Sequence, residues 1–208
     1  MQDCAPFDTI GKRYEELFLQ RSAQLAAGEW LITELGVGAK VLDLGCGGGW
    51  PTAMQLADAG LNITGIDLSP AMVAIASDRV PSGEFTVADL TGLPAELGRF
   101  DGVTAFLSLS MVGRAELPAV LGRIGELLRP SGCFALSTLD GTRDRVAPTI
   151  LSPTVAITEY RLDELADLLA GTGFAVVARE TVEVTIGQVP QTQHYLRARR
   201  DAAGSASA

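Results

Sequence analysis

Four glycines crowded behind an apolar strand constrain this chain more than any other feature. The run Val41-Leu42-Asp43-Leu44-Gly45-Cys46-Gly47-Gly48-Gly49-Trp50-Pro51 reads as a strand with an acid near its end that breaks into a loop. Glycine has no Cβ, so such a loop lets backbone N–H groups come close to a ligand. The next strand, Ile63 to Ile66, ends at Asp67, where a carboxylate can accept both hydroxyls of a ribose. Loop and acid together describe a nucleoside-binding crevice at the carboxyl ends of parallel strands. A third strand tip carries Asp89, and turn chemistry alone explains three such acids poorly.

Around this core the hydrophobic pattern alternates between strand and helix. A helix is expected over 12–35, closed by Gly36-Val37-Gly38. Strands follow at 40–44, up to Asp67, at 84–87, 101–107 and 133–139. Ser69-Pro70 reads as an N-cap followed by proline in the first turn. Leu117, Val120, Leu121, Ile124, Leu127 and Leu128 keep helical spacing until Arg129-Pro130-Ser131-Gly132 breaks it. Alternation of this kind builds parallel βαβ units with helices on both sheet faces, a doubly wound α/β fold. After a helix over 161–170, two strands (174–184 and 192–198) are joined by a short connection containing Gly187, which suits an antiparallel pair. We expect one domain over 1–200, with 1–36 as an N-terminal helical cap and a flexible tail over 201–208. Residues 140–160 are long for a connection and hold Pro148 and Pro153, so they are expected to form a lid over the crevice.

Charge and composition narrow the partners. The net charge of −9 opposes nucleic acid, which a basic face would favour. No apolar run reaches membrane-spanning length, and Met1 to Asp8 lacks the pattern of a secretory signal. Three scattered cysteines, Cys4, Cys46 and Cys133, build neither a disulfide framework nor a zinc site, and the expected compartment is the cytoplasm.

Five ordered segments carry a resemblance. Val41 to Gly49 resembles the glycine motif of the class I S-adenosylmethionine-dependent methyltransferases. Gly65-Ile66-Asp67-Leu68-Ser69-Pro70-Ala71-Met72 is similar to their second motif, and Ala88-Asp89-Leu90-Thr91-Gly92-Leu93-Pro94 to their third. Phe100 to Phe106 resembles the fourth, and Leu127 to Gly132 the turn before their fifth strand. The resemblance spans roughly residues 38 to 180. It implies a seven-stranded, mostly parallel sheet with an antiparallel last strand. It also implies S-adenosylmethionine as cofactor, with Gly45, Gly47 and Gly49 lining its methionine and ribose and Asp43 helping to hold the ammonium. Asp67 would take the ribose hydroxyls, and Leu68 and Met72 would cover the adenine. Asp89 would accept from the adenine amino group, the N–H of Leu90 would donate to the ring, and Phe106 and Leu107 would lie by the sulfonium methyl.

Local alternatives stand beside these roles. Asp67 could cap a helix, although Ser69 already fits that position. Met72 could be core. A dinucleotide site needs a third glycine where Trp50 stands, which disfavours a nicotinamide-dependent oxidoreductase. For catalysis the candidates are Tyr14, since the resemblance to small-molecule methyltransferases implies a tyrosine of the leading helix closing over the cofactor, and His194, a candidate general base. Their alternatives are a half-buried helix tyrosine and a partly exposed strand histidine. The paired histidines of many small-molecule members are replaced by Ser110 and Met111. Asp140 alone is placed for a metal, and none is expected. Trp30, Leu109, Met111 and Tyr160, with Trp50 and Phe106, would line a mostly apolar substrate pocket. The expected activity is methyl transfer from S-adenosylmethionine to a small, mostly apolar metabolite, with tailoring of a secondary metabolite as the expected setting. The alternative is a cofactor-binding protein without transfer, a cyclase or a regulatory subunit.

Overall fold

The computed structural model describes residues 7–8, 15–16, 19–93, 97–147, 155–186 and 188–202. Seven strands form one sheet: β1 (Lys40–Leu44), β2 (Asn62–Asp67), β3 (Glu84–Val87), β4 (Phe100–Phe106), β5 (Leu128–Leu139), β6 (Phe174–Ile186) and β7 (Val189–Arg200). Their spatial order is β3-β2-β1-β4-β5-β7-β6. Strands β1 to β5 pair in parallel, and β7 lies antiparallel between β5 and β6. The helices are α1 (Ser22–Leu35), α2 (Thr52–Asp58), α3 (Pro70–Arg79), α4 (Leu117–Leu127) and α5 (Leu162–Gly171).

Burial on both faces explains the near-continuous apolar strands. On one face Ala27 and Leu31 of α1 and Leu56 of α2 pack on Val41, Ile63 and Ala135. On the other, Leu117, Leu121 and Ile124 of α4 and Leu165 and Leu169 of α5 pack on Leu42, Leu44, Phe134 and Leu136. Ser69 caps α3, accepting from the N–H of Met72 at 3.2 Å with Pro70 in the first turn.

Three boundaries differ from the sequence reading. The helix expected over 12–35 is α1 from Ser22, with separate helical residues at 7–8 and 15–16. Strand β5 begins at Leu128, not Cys133. The Pro130-Ser131-Gly132 breaker is absorbed by an irregularity in the β4–β5 pairing between Phe100 and Gly102, with Ser131 at φ 62°. The last two strands run on until Ile186 faces Val189, a longer hairpin than their polar residues suggested; Gly187 lies outside the described residues.

The segment expected to be a lid is described at 140–147 and 155–160. Val146 and Ile157 exchange backbone hydrogen bonds of 2.9 Å in each direction. Val155 and Ile157 are buried with Leu139, Val184 and Ile186, and Phe7, Leu107 and Met111 pack against them. These apolar contacts join the segment to the hairpin and to an N-terminal residue above the strand ends. Of the tail expected over 201–208, residues 203–208 lie outside the described residues.

Candidate functional site

Strands β1 and β4 are neighbours without being consecutive, so the chain reverses its winding between them. Open α/β sheets bind ligands at such a switch point. Asp43 of β1 stands opposite Thr104 of β4, whose hydroxyl donates to Asp43 Oδ1 at 2.7 Å. Asp43 is only 3% exposed. Burial pushes its carboxyl up to about 6, against the pull of the Thr104 bond and with a further rise from the Asp67 charge.

The glycine loop folds back over β2. The N–H groups of Gly45 and Cys46 both donate to the Ile66 carbonyl, at 2.8 and 2.9 Å. Gly45 has φ +71°, and a Cβ there would meet the Ser108 Cβ at 2.4 Å, so both conformation and space demand glycine. Asp67 Oδ2 accepts from Gly47 N and Oδ1 from Ser69 N, each at 2.9 Å. Ser69, and not Asp67, occupies the cap position of α3, so the helix-cap alternative for Asp67 does not hold. Asp67 ties the loop to the start of α3, and its carboxylate keeps lone-pair capacity beyond these backbone donors. Burial raises this carboxyl, while the N–H groups of Ser69, Gly47 and Leu68 lower it. Asp89 Oδ1 accepts from the Thr91 N–H at 2.8 Å and its hydroxyl at 2.7 Å, as a turn residue does.

Two hollows meet over these strand ends. The first is lined by Asp67, Leu68, Met72, Ala88, Asp89 and Leu90, with Phe7 and Met111 beside them. The second is lined by Asp43, Cys46, Arg21, Gln24, Trp50 and Thr52. Gly45, Gly47, Met72, Phe106 and Leu107 belong to both. Leu107 holds the left-handed conformation (φ 62°, ψ −10°) at that junction. Its N–H donates to the backbone oxygen and the hydroxyl of Ser137, both at 3.0 Å. A leucine in this conformation is strained, and such strain concentrates at ligand sites.

The second hollow is bounded by charge. The Arg21 guanidinium lies 5.3 Å from the Trp50 ring centroid and donates to Gln24 Oε1 at 2.9 Å; Gln24 in turn donates to Thr52 at 2.8 Å. Glu15 pairs with Arg79, which also donates to the Gly48 carbonyl at 2.6 Å. Through Arg79, Glu15 is thus linked to the glycine loop. Burial, with Asp43 and Asp67 nearby, pushes the Cys46 thiol far up.

Several expected site residues stand elsewhere. Gly49 (φ +80°) packs on α3, where a Cβ would lie 3.3 Å from the Ala76 Cα, so it serves packing behind the hollows. Trp30 packs with the α1 and α2 core. Leu109 and Tyr160, expected to line the substrate pocket, are fully buried in the opposite core. The Tyr160 hydroxyl donates to the Val112 carbonyl at 2.9 Å. His194, weighed as a partly exposed residue, is buried at 4% exposure. Its Nδ1 bonds Thr181 Oγ1 at 2.9 Å and its Nε2 bonds Asp140 Oδ1 at 2.8 Å. Strand alternation turns it to the face opposite its neighbour Tyr195. Tyr14 lies outside the described residues. Arg21, Gln24 and Phe7 were missed. They precede the motifs in sequence, and nothing local signals that the chain folds them back over the strand ends.

The fold, the switch-point crevice and its acids define a nucleoside-binding α/β protein of the methyltransferase type. The Methyltransferase domain family matches residues 41–132. An uncharacterized methyltransferase of Synechocystis sp. is 33% identical over 152 residues, covering 68% of this chain and 69% of the relative. The Burkholderia thailandensis 1,6-didemethyltoxoflavin-N1-methyltransferase, solved with bound 1,6-didemethyltoxoflavin and S-adenosylhomocysteine, superposes with a TM-score of 0.74 at 26% identity, over 95% of this chain and 86% of that one. The [4+2]-cyclase SpnF shares the fold at a TM-score of 0.70 and 20% identity, over 87% of this chain and 81% of that one. The chain belongs to the class I S-adenosylmethionine-dependent methyltransferases.

Proposed function

We propose that the two hollows hold S-adenosylmethionine and that its methyl group goes to a small, mostly apolar metabolite reached through the adjoining groove. The observation that carries this reading is the convergence of Asp43, Asp67 and Asp89 on one continuous crevice around the glycine loop. The donor set suits the ligand. Asp43, buried and costly to ionise, gains from a ligand ammonium, and Arg21 is the cation placed to take a carboxylate. Asp67 would accept from the ribose hydroxyls. Leu68 and Met72 would pack on adenine, with Asp89 and the Leu90 N–H at its polar edge.

The cofactor supplies an electrophilic methyl carbon on a sulfonium, so the chain's task is to orient the acceptor and exclude water. Phe106 and Leu107, at the junction of the hollows, are placed to frame that carbon. A groove continues past Arg21 and Trp50 between Leu19, Ala23 and Leu25 on one side and Val182, Val184 and Tyr195 on the other. Its apolar walls suit a small organic acceptor, and the net charge of −9 disfavours nucleic acid. We place the reaction in the reducing cytoplasm, in keeping with free Cys46 and Cys133. Among the described residues no helix is long and apolar enough to cross a membrane.

Calorimetric titration with S-adenosylhomocysteine tests the reading. Saturable binding at one site is expected, with no comparable binding of a nicotinamide dinucleotide. Folded protein that fails to bind the homocysteine product overturns it.

A further inference from the structure

One polar pair, of which Tyr195 lines the acceptor groove, is bound into the sheet itself. Phe106 of β4, Ser137 of β5, Tyr195 of β7 and Glu180 of β6 form one rung, with their side chains on the same sheet face. The Phe106 and Tyr195 rings lie 6.0 Å apart at 41°. Tyr195 thus connects the junction of the two hollows to the groove that it lines with Arg21 and Trp50. Its hydroxyl donates to Gln193 Oε1 at 2.9 Å, and both residues are buried. With the O–H committed to Gln193 and the Ser137 hydroxyl bonded to the same oxygen, the phenol has only its remaining lone pair to offer, so it recognises a donor. The neighbouring wall is apolar: Leu139 and Val182 flank Gln193 on the next rung.

We propose that Tyr195, fixed by Gln193, is an acceptor-positioning residue, and that the acceptor's nucleophile is an O–H or N–H group. This rests on the methyltransferase reading of the cleft. Tyr195 accepts a hydrogen bond from the nucleophile and so aims its lone pair at the methyl carbon. The new bond forms from that lone pair while the carbon–sulfur bond breaks toward sulfur; the methylated oxygen or nitrogen, now a strong acid, keeps its proton until it gives it to bulk water as the product leaves. Tyr195 orients and does not deprotonate: burial pushes its phenol up to about 12, with Glu180 raising it and Arg21 and Ser137 lowering it.

The test compares 2-naphthol with 2-naphthalenethiol as methyl acceptors in mildly alkaline buffer, where the thiol is ionised and has no proton to donate. Tyr195→Phe keeps the ring against Phe106. It should lower kcat/KM for the naphthol about tenfold, the loss of one hydrogen bond. Turnover of the thiol and affinity for S-adenosylhomocysteine should stay within about twofold of wild type. Equal losses on both acceptors, or none on either, overturn the positioning role. A wild-type protein that binds S-adenosylhomocysteine but methylates only the thiol, or neither probe, overturns the acceptor class. Failure to bind S-adenosylhomocysteine instead sinks the reading of the cleft. If Tyr195→Phe does not fold, Gln193→Met frees the hydroxyl and is expected to show the same selective loss; an unselective one overturns the proposal.

Discussion

Replacing Asp43 by asparagine should make the free protein more stable and its hold on the cofactor weaker. The side chain is fully enclosed, and its carboxyl rises from an ordinary 3.8 to about 6. At about 1.4 kcal/mol for each tenfold change in the ionisation constant, the charged form costs the fold about 3 kcal/mol above pH 6. The sign follows from proton counting. Between 3.8 and 6 the folded protein binds the Asp43 proton more tightly than the unfolded chain, so this contribution to stability falls as pH rises through that window. Asparagine keeps a carbonyl to accept from Thr104 and carries no charge. Asp43→Asn should therefore gain about 3 kcal/mol at neutral pH, roughly 5–10 °C in Tm for a chain of this size, and about nothing near pH 4. Urea unfolding of both proteins across that range gives the difference, in which acid effects common to both cancel. A variant no more stable than wild type at neutral pH, or a gain that does not shrink on acidification, refutes the reasoning. The same substitution should weaken S-adenosylhomocysteine binding by on the order of tenfold, because a charge-assisted bond to the ammonium is lost. Retaining so costly a carboxylate is the usual exchange of stability for function at a ligand site.

Other outcomes follow from single contacts. Asp67→Ala should weaken S-adenosylhomocysteine binding by on the order of 1–3 kcal/mol in calorimetry; unchanged affinity would mean that the ribose is held elsewhere. Gly45→Ala meets both φ +71° and the Ser108 side chain. It should lose about 2 kcal/mol or more in chemical denaturation, and a neutral effect contradicts the loop geometry. Tyr160→Phe leaves the buried Val112 carbonyl without its donor. A cost of about 1–2 kcal/mol with unchanged cofactor affinity is expected, whereas weakened binding would return Tyr160 to the site. Cys46, whose thiol burial holds in the neutral form, should resist iodoacetamide in the native protein and react on unfolding; rapid native alkylation would show that the second hollow is more open than described.

Much of the crevice was legible because its determinants are local. The glycine loop, Asp67 at the tip of β2 and the Ser69-Pro70 cap each follow from a few consecutive residues whose conformational limits are intrinsic. The βαβ alternation was likewise legible, since hydrophobic period reports element type directly. Side-chain destination was less so. Tyr160 and Leu109 looked like apolar lining, yet they face the core under α4 and α5, because apolar character does not say which of two buried environments a residue enters. His194 and Tyr195 are adjacent, and only the register of β7 against β5 and β6 sends one to Asp140 and the other to Phe106.

The amino-acid order alone determined the class of fold, the bare-backboned loop and the acids at successive strand tips, because those features depend on backbone freedom and short-range periodicity. Tertiary structure decided which acids became buried and costly to ionise. It brought Arg21, Gln24 and Phe7 over the crevice and carried Tyr195 to its edge. The physical reason is that desolvation and long-range pairing depend on what surrounds a group in space, and distant parts of the chain supply those surroundings only once the sheet has closed.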